Sequence, residues 1–240
     1  MAVFVLVHGG WVGGWYWCRV APLLQARGHR VFAPTLTGLG ERAHLCSLAI
    51  DLDTHVQDVT NMLQFEELHE VVLVGHSYGG MVITGVAERC PERIGHLCYL
   101  DAFVPQDGQA LADFVGPAMV AGIRESARVS TDGSRVPMPF PLAAVGIEKE
   151  ADVSWMTPRL TAHPLNTILQ PLRLSDPAAR SLPRTFIYCN EPAIGFFKTF
   201  AERARSEGWR YREIATGHTA MVTAPQQVTD LLLEAAGEKT

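Results

Sequence analysis

One ten-residue segment constrains the fold of this chain more than any other: VVLVGHSYGG, at residues 71–80. Its first four residues are apolar, which predicts a buried strand over residues 71–74, and the spacing that follows predicts a helix over residues 81–89. The Gly-x-Ser-x-Gly between them predicts a tight strand-to-helix turn with Ser77 at its apex. Gly75 and Gly79 suit this turn because larger side chains would clash with the neighbouring backbone.

Such a turn presents the Ser77 hydroxyl at the carboxyl edge of a sheet, above the free N–H groups of a helix N-terminus. Ser77 is therefore a candidate nucleophile, although an ordinary glycine-rich turn would have the same local sequence. The sequence His8-Gly9-Gly10 follows the first predicted strand. We predict that the backbone N–H groups of Gly10 and Tyr78 form an oxyanion hole. The alternative for Gly10 is that it only permits a tight turn.

A serine nucleophile needs a base, and nine histidines compete for that role. His218 directly follows the strand predicted at residues 210–214 and precedes a predicted helix, which is where a base would lie in a sheet of this kind. The other histidines fall at element ends, at exposed helical positions or, for His8 and His76, beside the oxyanion region. We therefore predict that His218 is the base.

Strands and helices alternate at both ends of the chain, which predicts an α/β fold with a mostly parallel sheet and helices on both faces. The predicted strands are residues 2–7, 30–33, 71–74, 94–100, 185–189 and 210–214, and the predicted helices are residues 17–26, 52–65, 81–89, 195–206 and 226–236. Prolines are frequent and strands are hard to find in between. We interpret residues 1–102 and 184–240 as the core and residues 103–183 as an inserted cap, with a candidate hairpin turn at residues 131–134.

Composition excludes several classes of function. The 240 residues are 48% hydrophobic with a formal charge of −5, and the absence of any Lys/Arg run argues against a nucleic-acid partner. The five cysteines are scattered without a metal-type spacing, and no dinucleotide fingerprint occurs, so we expect no metal and no cofactor. The apolar N-terminus is too short for a signal peptide, and we expect a cytoplasmic protein with no membrane segment. Homodimer formation stays open.

Several longer segments carry a resemblance to a known family: FVLVHGGWVGGWYW, LLQARGHRVFAPTLTGLGERAHL, VVLVGHSYGGMVI, YLDAFVPQDGQ, RLTAHPLNTILQPL and GHTAMVTAPQQVTDLLL. The chain resembles the plant methylesterase and hydroxynitrile lyase group of α/β-hydrolases, and more closely its small bacterial relatives. The resemblance implies cofactor-free ester hydrolysis or cyanohydrin cleavage. The lyases carry a lysine after the catalytic histidine and a threonine in the first loop, where this chain has Thr219 and Gly9. They often carry a glutamate where this chain has His76, so the esterase branch is favoured.

The acidic partner of His218 departs from the family pattern. Members usually place an aspartate after the strand that corresponds to residues 185–189, but the matching position here falls on or near Pro192, and Glu191 lies one residue earlier. Asp101 ends the strand at residues 94–100, where some α/β-hydrolases, including certain haloalkane dehalogenases, carry the acid. Both strand ends would face the same site. We prefer Asp101 to Glu191 because its position at a strand end is more rigid.

The remaining site predictions concern the substrate pocket, for which Trp11, Phe103, Trp155 and His163 are candidates. With them, the sequence predicts a serine carboxylesterase that acts on a small-molecule ester, apolar or aromatic, through an acyl-enzyme. The alternatives are a lyase, a hydrolase of amides, carbamates or lactones, and a ligand receptor with a vestigial triad.

Overall fold

The computed structural model describes residues 1–130 and 132–238 and contains a six-stranded sheet in which every strand pair is parallel. The sheet strands are β1 (Val3–Val7), β2 (Arg30–Phe32), β3 (Val71–His76), β4 (Ile94–Leu100), β7 (Arg184–Cys189) and β8 (Arg210–Ile214), in the spatial order β2-β1-β3-β4-β7-β8. The carboxyl ends of all six strands therefore meet at one edge, and β3 lies near its centre.

Helices flank this sheet and occupy the segment between β4 and β7. They are α1 (Ala21–Ala26), α2 (Leu52–Phe65), α3 (Gly79–Arg89), α4 (Ala112–Val115), α5 (Pro117–Arg128), α6 (Glu150–Met156), α7 (Leu165–Leu169), α8 (Pro177–Ser181), α9 (Gly195–Ser206), α10 (Ala220–Thr223) and α11 (Pro225–Ala235). None of the helices within the described ranges has both the length and the apolarity needed to cross a bilayer.

Side chains from alternate positions of the strands form two separate cores, because successive residues of a strand point to opposite faces. Val5 and Leu73 belong to a core with apolar residues of α2, α3 and α9. Phe4 and Val74 belong to a second core with residues of α1 and α11. The prediction of a parallel sheet covered by helices on both faces is confirmed.

Most element bounds agree with the sequence, and the largest difference lies after β1. The helix predicted over residues 17–26 is wrong in its first half, where the chain forms one turn of 3₁₀ helix at Gly14–Trp17 before α1 begins at Ala21. Pro22 stands in the first turn of α1, where a missing N–H costs nothing. The chain then reverses through Gly28, whose φ of +82° is readily adopted only by glycine.

The segment between β4 and β7 contains α4 to α8 and a short antiparallel ribbon formed by β5 (Arg135–Val136) and β6 (His163–Pro164). The hairpin turn predicted at residues 131–134 includes Thr131, which lies outside the described residues. β5 pairs with the distant β6, and α5 precedes the turn, so the described part of this segment contains no strand that could complete such a hairpin. Helices are thus the main regular elements in the described part of residues 103–183.

Gly80, in the first turn of α3, packs closely against the backbone segment that follows β4. A Cβ atom built on Gly80 would lie 2.0 Å from the carbonyl oxygen of Phe103, whereas one built on Gly122 of α5 meets no heavy atom within 4 Å. We expect Gly80→Ala to destabilise the fold by about 1–3 kcal/mol through overpacking. The matched Gly122→Ala should stabilise it by up to about 1 kcal/mol through helix propensity.

Urea unfolding followed by circular dichroism measures both free energies of unfolding. Equal stability of the two variants would contradict this description of the α3 contact.

Candidate active site

Ser77 stands in a strained backbone conformation between β3 and α3. Its φ is +53°, in the left-handed region that residues other than glycine seldom occupy. The surrounding backbone holds this conformation, because the Ser77 carbonyl accepts hydrogen bonds from the N–H groups of Gly80 (3.0 Å) and Phe103 (3.1 Å). Strain of this kind persists only where the surroundings enforce it, and it often marks a functional residue.

The glycines of the motif are required by close backbone approach. A Cβ atom on Gly75 would lie 2.6 Å from the carbonyl oxygen of Gly79, and one on Gly79 would lie 2.7 Å from the carbonyl oxygen of Val7. Both distances are shorter than any real Cβ contact tolerates. The sequence pattern therefore forms the strand–turn–helix arrangement expected from it, and the turn lies against the end of β1.

The ring of His218 contacts the carboxylate of Asp101. The two residues are 117 positions apart in sequence, yet His218 Nδ1 and Asp101 Oδ2 lie 2.7 Å apart. Asp101 directly follows β4 and His218 follows β8, so the common edge of the sheet brings them together. Since Nδ1 donates to the carboxylate, Nε2 of the neutral ring is left without a proton and can act as an acceptor.

Asp101 is fully buried and is held by its neighbours on β7. Its Oδ1 accepts from the N–H of Cys189 (3.3 Å), and its own N–H donates to the carbonyl of Ile187 (2.7 Å). Burial raises the pKa of Asp101, while the hydrogen bond from Cys189 lowers it. Glu191, the other carboxylate considered, is exposed, and the partner of His218 Nδ1 is Asp101.

The His218 ring lies between two other rings. Phe197 of α9 stacks on it with a centroid distance of 4.7 Å and an interplanar angle of 12°, and His76 packs on it with a centroid distance of 4.4 Å. Nε2 of His76 also donates to the backbone carbonyl of His218 at 2.8 Å. Burial lowers the pKa of His218. The ring is therefore held in one orientation and is neutral near neutral pH.

The loop after β1 lies beside Ser77. A Cβ atom on Gly9 would be 3.0 Å from both the Ser77 Cβ and the His76 Nδ1, so the loop packs tightly against the serine. His8 holds the loop in place through two hydrogen bonds. Its Nδ1 donates to the Gly9 carbonyl (2.8 Å), and its Nε2 accepts from the N–H of Leu36 (3.1 Å). Burial lowers the pKa of His8 to about 4, so it is a neutral support.

The backbone N–H groups of Gly10 and Tyr78, the predicted oxyanion donors, lie at the cavity that contains Ser77. Across the described ranges, neither group donates to a backbone carbonyl in the turns and loops. Gly10, Ser77 and Tyr78 all line the same cavity. The arrangement is chemically suited to bind a carbonyl oxygen as it gains negative charge.

Two cavities meet at Ser77 and His218. The larger has a volume of about 200 Å³ and an almost entirely apolar lining that includes Trp11, Phe103 and His163. The smaller, of about 40 Å³, is also lined by Trp11. Within the described residues, no group of three or more His, Cys, Asp or Glu side chains could hold a metal ion.

Three of the four pocket candidates thus border the larger cavity, each held differently. Trp11, with a φ of +64°, donates from Nε1 to the carbonyl of Val136 at 2.9 Å. Phe103 packs against the ring of Phe197. His163 is buried, with its Nε2 2.7 Å from the hydroxyl of Thr167.

Trp155, the fourth pocket candidate, lines neither of the two cavities. Its half-buried indole packs edge-on against Trp15 at a centroid distance of 5.1 Å. The guanidinium groups of Arg19 and Arg159 lie over the Trp155 ring at 5.0 Å and 5.4 Å. Two of these partners, Trp15 and Arg19, belong to the segment after β1, so Trp155 packs α6 against that segment. Cation–π contacts give Trp155 a structural role.

Sequence reasoning missed most of the apolar wall. The larger cavity is also lined by apolar side chains of α5 and α9 and of the segments around them, among them Leu111, Met119, Ile123, Phe140, Phe196 and Phe197. The pair Phe196-Phe197 follows the loop after β7. Its position near the carboxyl end of a strand was the one sequence signal that could have indicated that it lines the cavity. The others belong to segments whose sequence has no local feature pointing toward Ser77.

Comparison with known proteins places the chain among hydrolases. Residues 4–231 match the sequence model described as "Alpha/beta hydrolase family". The chain is 38% identical to a carbendazim hydrolyzing esterase of Nocardioides sp. (strain SG-4G), over 97% of this chain and 98% of the relative. It is 28% identical to methylesterase 1 of Arabidopsis thaliana, over 97% of this chain and 95% of the relative.

A solved structure is similar over nearly the whole chain. It is described as an extracellular alpha/beta-hydrolase from a Paenibacillus species that shares structural and functional homology with tobacco salicylic acid binding protein 2. The TM-score is 0.86 at 25% sequence identity, covering 98% of this chain and 99% of the other. The match extends through residues 103–183, so this mainly helical segment is shared with that protein.

Proposed function

Because the chain belongs to the α/β-hydrolase family, we propose that it hydrolyses small carboxylic esters through an acyl-enzyme formed on Ser77. The chain is a hydrolase, and the curated relatives named above are esterases. The observation that carries the proposal is the 2.7 Å contact between His218 and Asp101 at the cavity that contains the strained Ser77. A base with a fixed tautomer beside a hydroxyl that lines a cavity is the arrangement that activates a serine.

In the first half of the reaction, the Ser77 Oγ attacks the ester carbonyl carbon while Nε2 of His218 accepts the hydroxyl proton. The carbonyl oxygen becomes an oxyanion that the N–H groups of Gly10 and Tyr78 bind. His218 then donates its proton to the alcohol oxygen, the bond between the carbonyl carbon and that oxygen breaks, and the alcohol leaves. The acyl group is now bonded to Ser77.

In the second half, a water molecule replaces the alcohol and the same steps run in reverse. His218 takes a proton from the water as its oxygen attacks the acyl carbon, and it returns that proton to Ser77 as the acid leaves. During both halves the His218 ring is transiently an imidazolium. Asp101 supports this charge from one side, and the face of Phe197 contributes a cation–π contact from another.

The two cavities suggest which esters fit. The cavity of about 200 Å³ accepts an apolar or aromatic group, and the one of about 40 Å³ accepts only a small one. Residues 103–183 act as the cap, because this segment supplies much of the lining of the larger cavity, including Phe103, Met119 and Phe140. We infer that the preferred substrates combine one bulky apolar group with one small group across the ester bond.

Thr219 supports ester hydrolysis over cyanohydrin cleavage. This residue follows His218 and is buried, with its N–H and hydroxyl both within hydrogen-bond distance of the Val145 carbonyl, at 3.2 Å and 3.0 Å. It provides no positive charge to stabilise a leaving cyanide. A threonine held in this way also ties the base loop to the cap through Val145.

Replacing Ser77 with alanine tests the nucleophile. Ser77→Ala should lower kcat for p-nitrophenyl butyrate by a factor on the order of 10⁶, because no other hydroxyl replaces the nucleophile. The variant should keep the wild-type circular dichroism spectrum and unfolding midpoint. Activity within a factor of about 100 of wild type in a folded variant would contradict the assignment.

The acid is tested with a matched pair of amide substitutions. Asp101→Asn keeps the shape of the side chain but removes the charge that supports the imidazolium, and a comparable change in a serine protease lowers kcat by about 10⁴. Glu191→Gln changes an exposed carboxylate and should alter kcat by less than about tenfold.

Steady-state kinetics on both folded variants decides between the two carboxylates. The assignment of Asp101 is wrong if Glu191→Gln causes the larger loss.

A further inference from the structure

A second apolar depression lies outside the larger cavity, between α5 and the extended segment that follows β5. Its volume is about 600 Å³, and it is lined on one side by Ala118, Met119 and Gly122 of α5 and on the other by Pro137 and Met138. Of all its lining residues, Ser126 alone has a polar side chain. We call this depression the α5 groove.

The α5 groove adjoins the cavity that contains Ser77. Val115, Met119, Ile123 and Pro139 line both. Met119 is 39% exposed, and its unbranched thioether side chain can change rotamer at low cost. The groove therefore begins where the cavity ends, with a movable side chain at the junction.

One face of α5 is apolar, and Ala118, Met119 and Gly122 on this face are exposed. Residues 118/119, 122/123 and 126 recur at helical spacing and form a stripe along the groove. The charged residues Arg124, Glu125 and Arg128 do not line it, and Arg128 pairs with Glu125 at 2.7 Å on another side of the helix. An apolar stripe next to an active-site mouth is the kind of exposed surface that usually has an occupant.

We propose that the α5 groove is the distal part of the substrate site and holds the apolar chain of esters too long for the inner cavity. This inference rests on the proposed function, because it takes Ser77 as the reacting end of the site. The apolar chain of an ester bound at Ser77 would fill the cavity of about 200 Å³, pass Met119 and continue along the α5 groove. The chemical class is an ester with an extended, unbranched apolar chain. The groove provides no charged side chain to bind a polar end.

Gly122 offers a direct test, because a side chain there projects into open space and not into the fold. Gly122→Phe should fill the groove. The test compares kcat/KM for methyl butyrate and methyl dodecanoate, followed by acid release and below the concentration at which the longer ester forms micelles, because the methyl group suits the cavity of about 40 Å³. Each methylene removed from apolar contact weakens binding by about fourfold. We therefore expect the dodecanoate-to-butyrate ratio to fall by more than about tenfold relative to wild type.

Two variants control for effects of bulk and of helix propensity. Ala121→Phe adds the same ring to the same helix at an exposed position that does not line the groove, and it should leave the ratio within about twofold of wild type. Gly122→Ala changes helix propensity without filling the groove and should also keep the ratio.

Two results would overturn the inference: an unchanged ratio in Gly122→Phe, and an equal fall in Ala121→Phe. If the unchanged ratio comes with a change in oligomeric mass, the groove is a contact between protein chains. Loss of the proposed function is recognised separately, because wild-type protein would then cleave neither ester, or Ser77→Ala would cleave both.

Discussion

The contact between His218 and Asp101 is the interaction on which the site depends. A buried carboxylate is costly unless it is paired and hydrogen-bonded, and Asp101 achieves both through His218 and the N–H of Cys189. Three strand ends, those of β4, β7 and β8, must coincide within hydrogen-bond distance for this to occur. The parallel sheet achieves this coincidence, since its register places Leu100 beside Ile187 and Cys189 beside Ile214.

Backbone strain is concentrated at the same edge. Of the five described non-glycine residues with positive φ, three are Trp11, Ser77 and Asp101, which together border the reacting position. Each costs free energy that the packed core must offset. Glycines contribute to this close packing, because they allow neighbouring segments of the backbone to approach, as Gly79 does against β1 and Gly80 against Phe103. Rigid positioning of the serine and the acid is thus a consequence of the fold's tightest contacts.

Features fixed by local sequence could be predicted, and features fixed by packing between distant segments could not. Helix α2 was predictable to its ends because Asp51 caps it and Thr54 completes the capping box. The contact of Asp101 with His218 was predictable because both directly follow strands of one sheet. The wall of the larger cavity was not, because Leu111 and Phe140 lie outside helices and strands, and no local sequence feature relates Met119 of α5 to Ser77. The packing of Trp155 beside two arginines was not predictable either, because the sequence does not distinguish an indole in a pocket from one beside guanidinium groups.

Covalent labelling tests the central claim most directly. A serine-directed phosphonate ester reacts with an activated hydroxyl and becomes bonded to it, and peptide mass spectrometry identifies the labelled residue. The account predicts one adduct per chain, on the peptide that contains Ser77, and much slower labelling in Asp101→Asn. An adduct on another residue, or complete loss of activity without any adduct on Ser77, would contradict it.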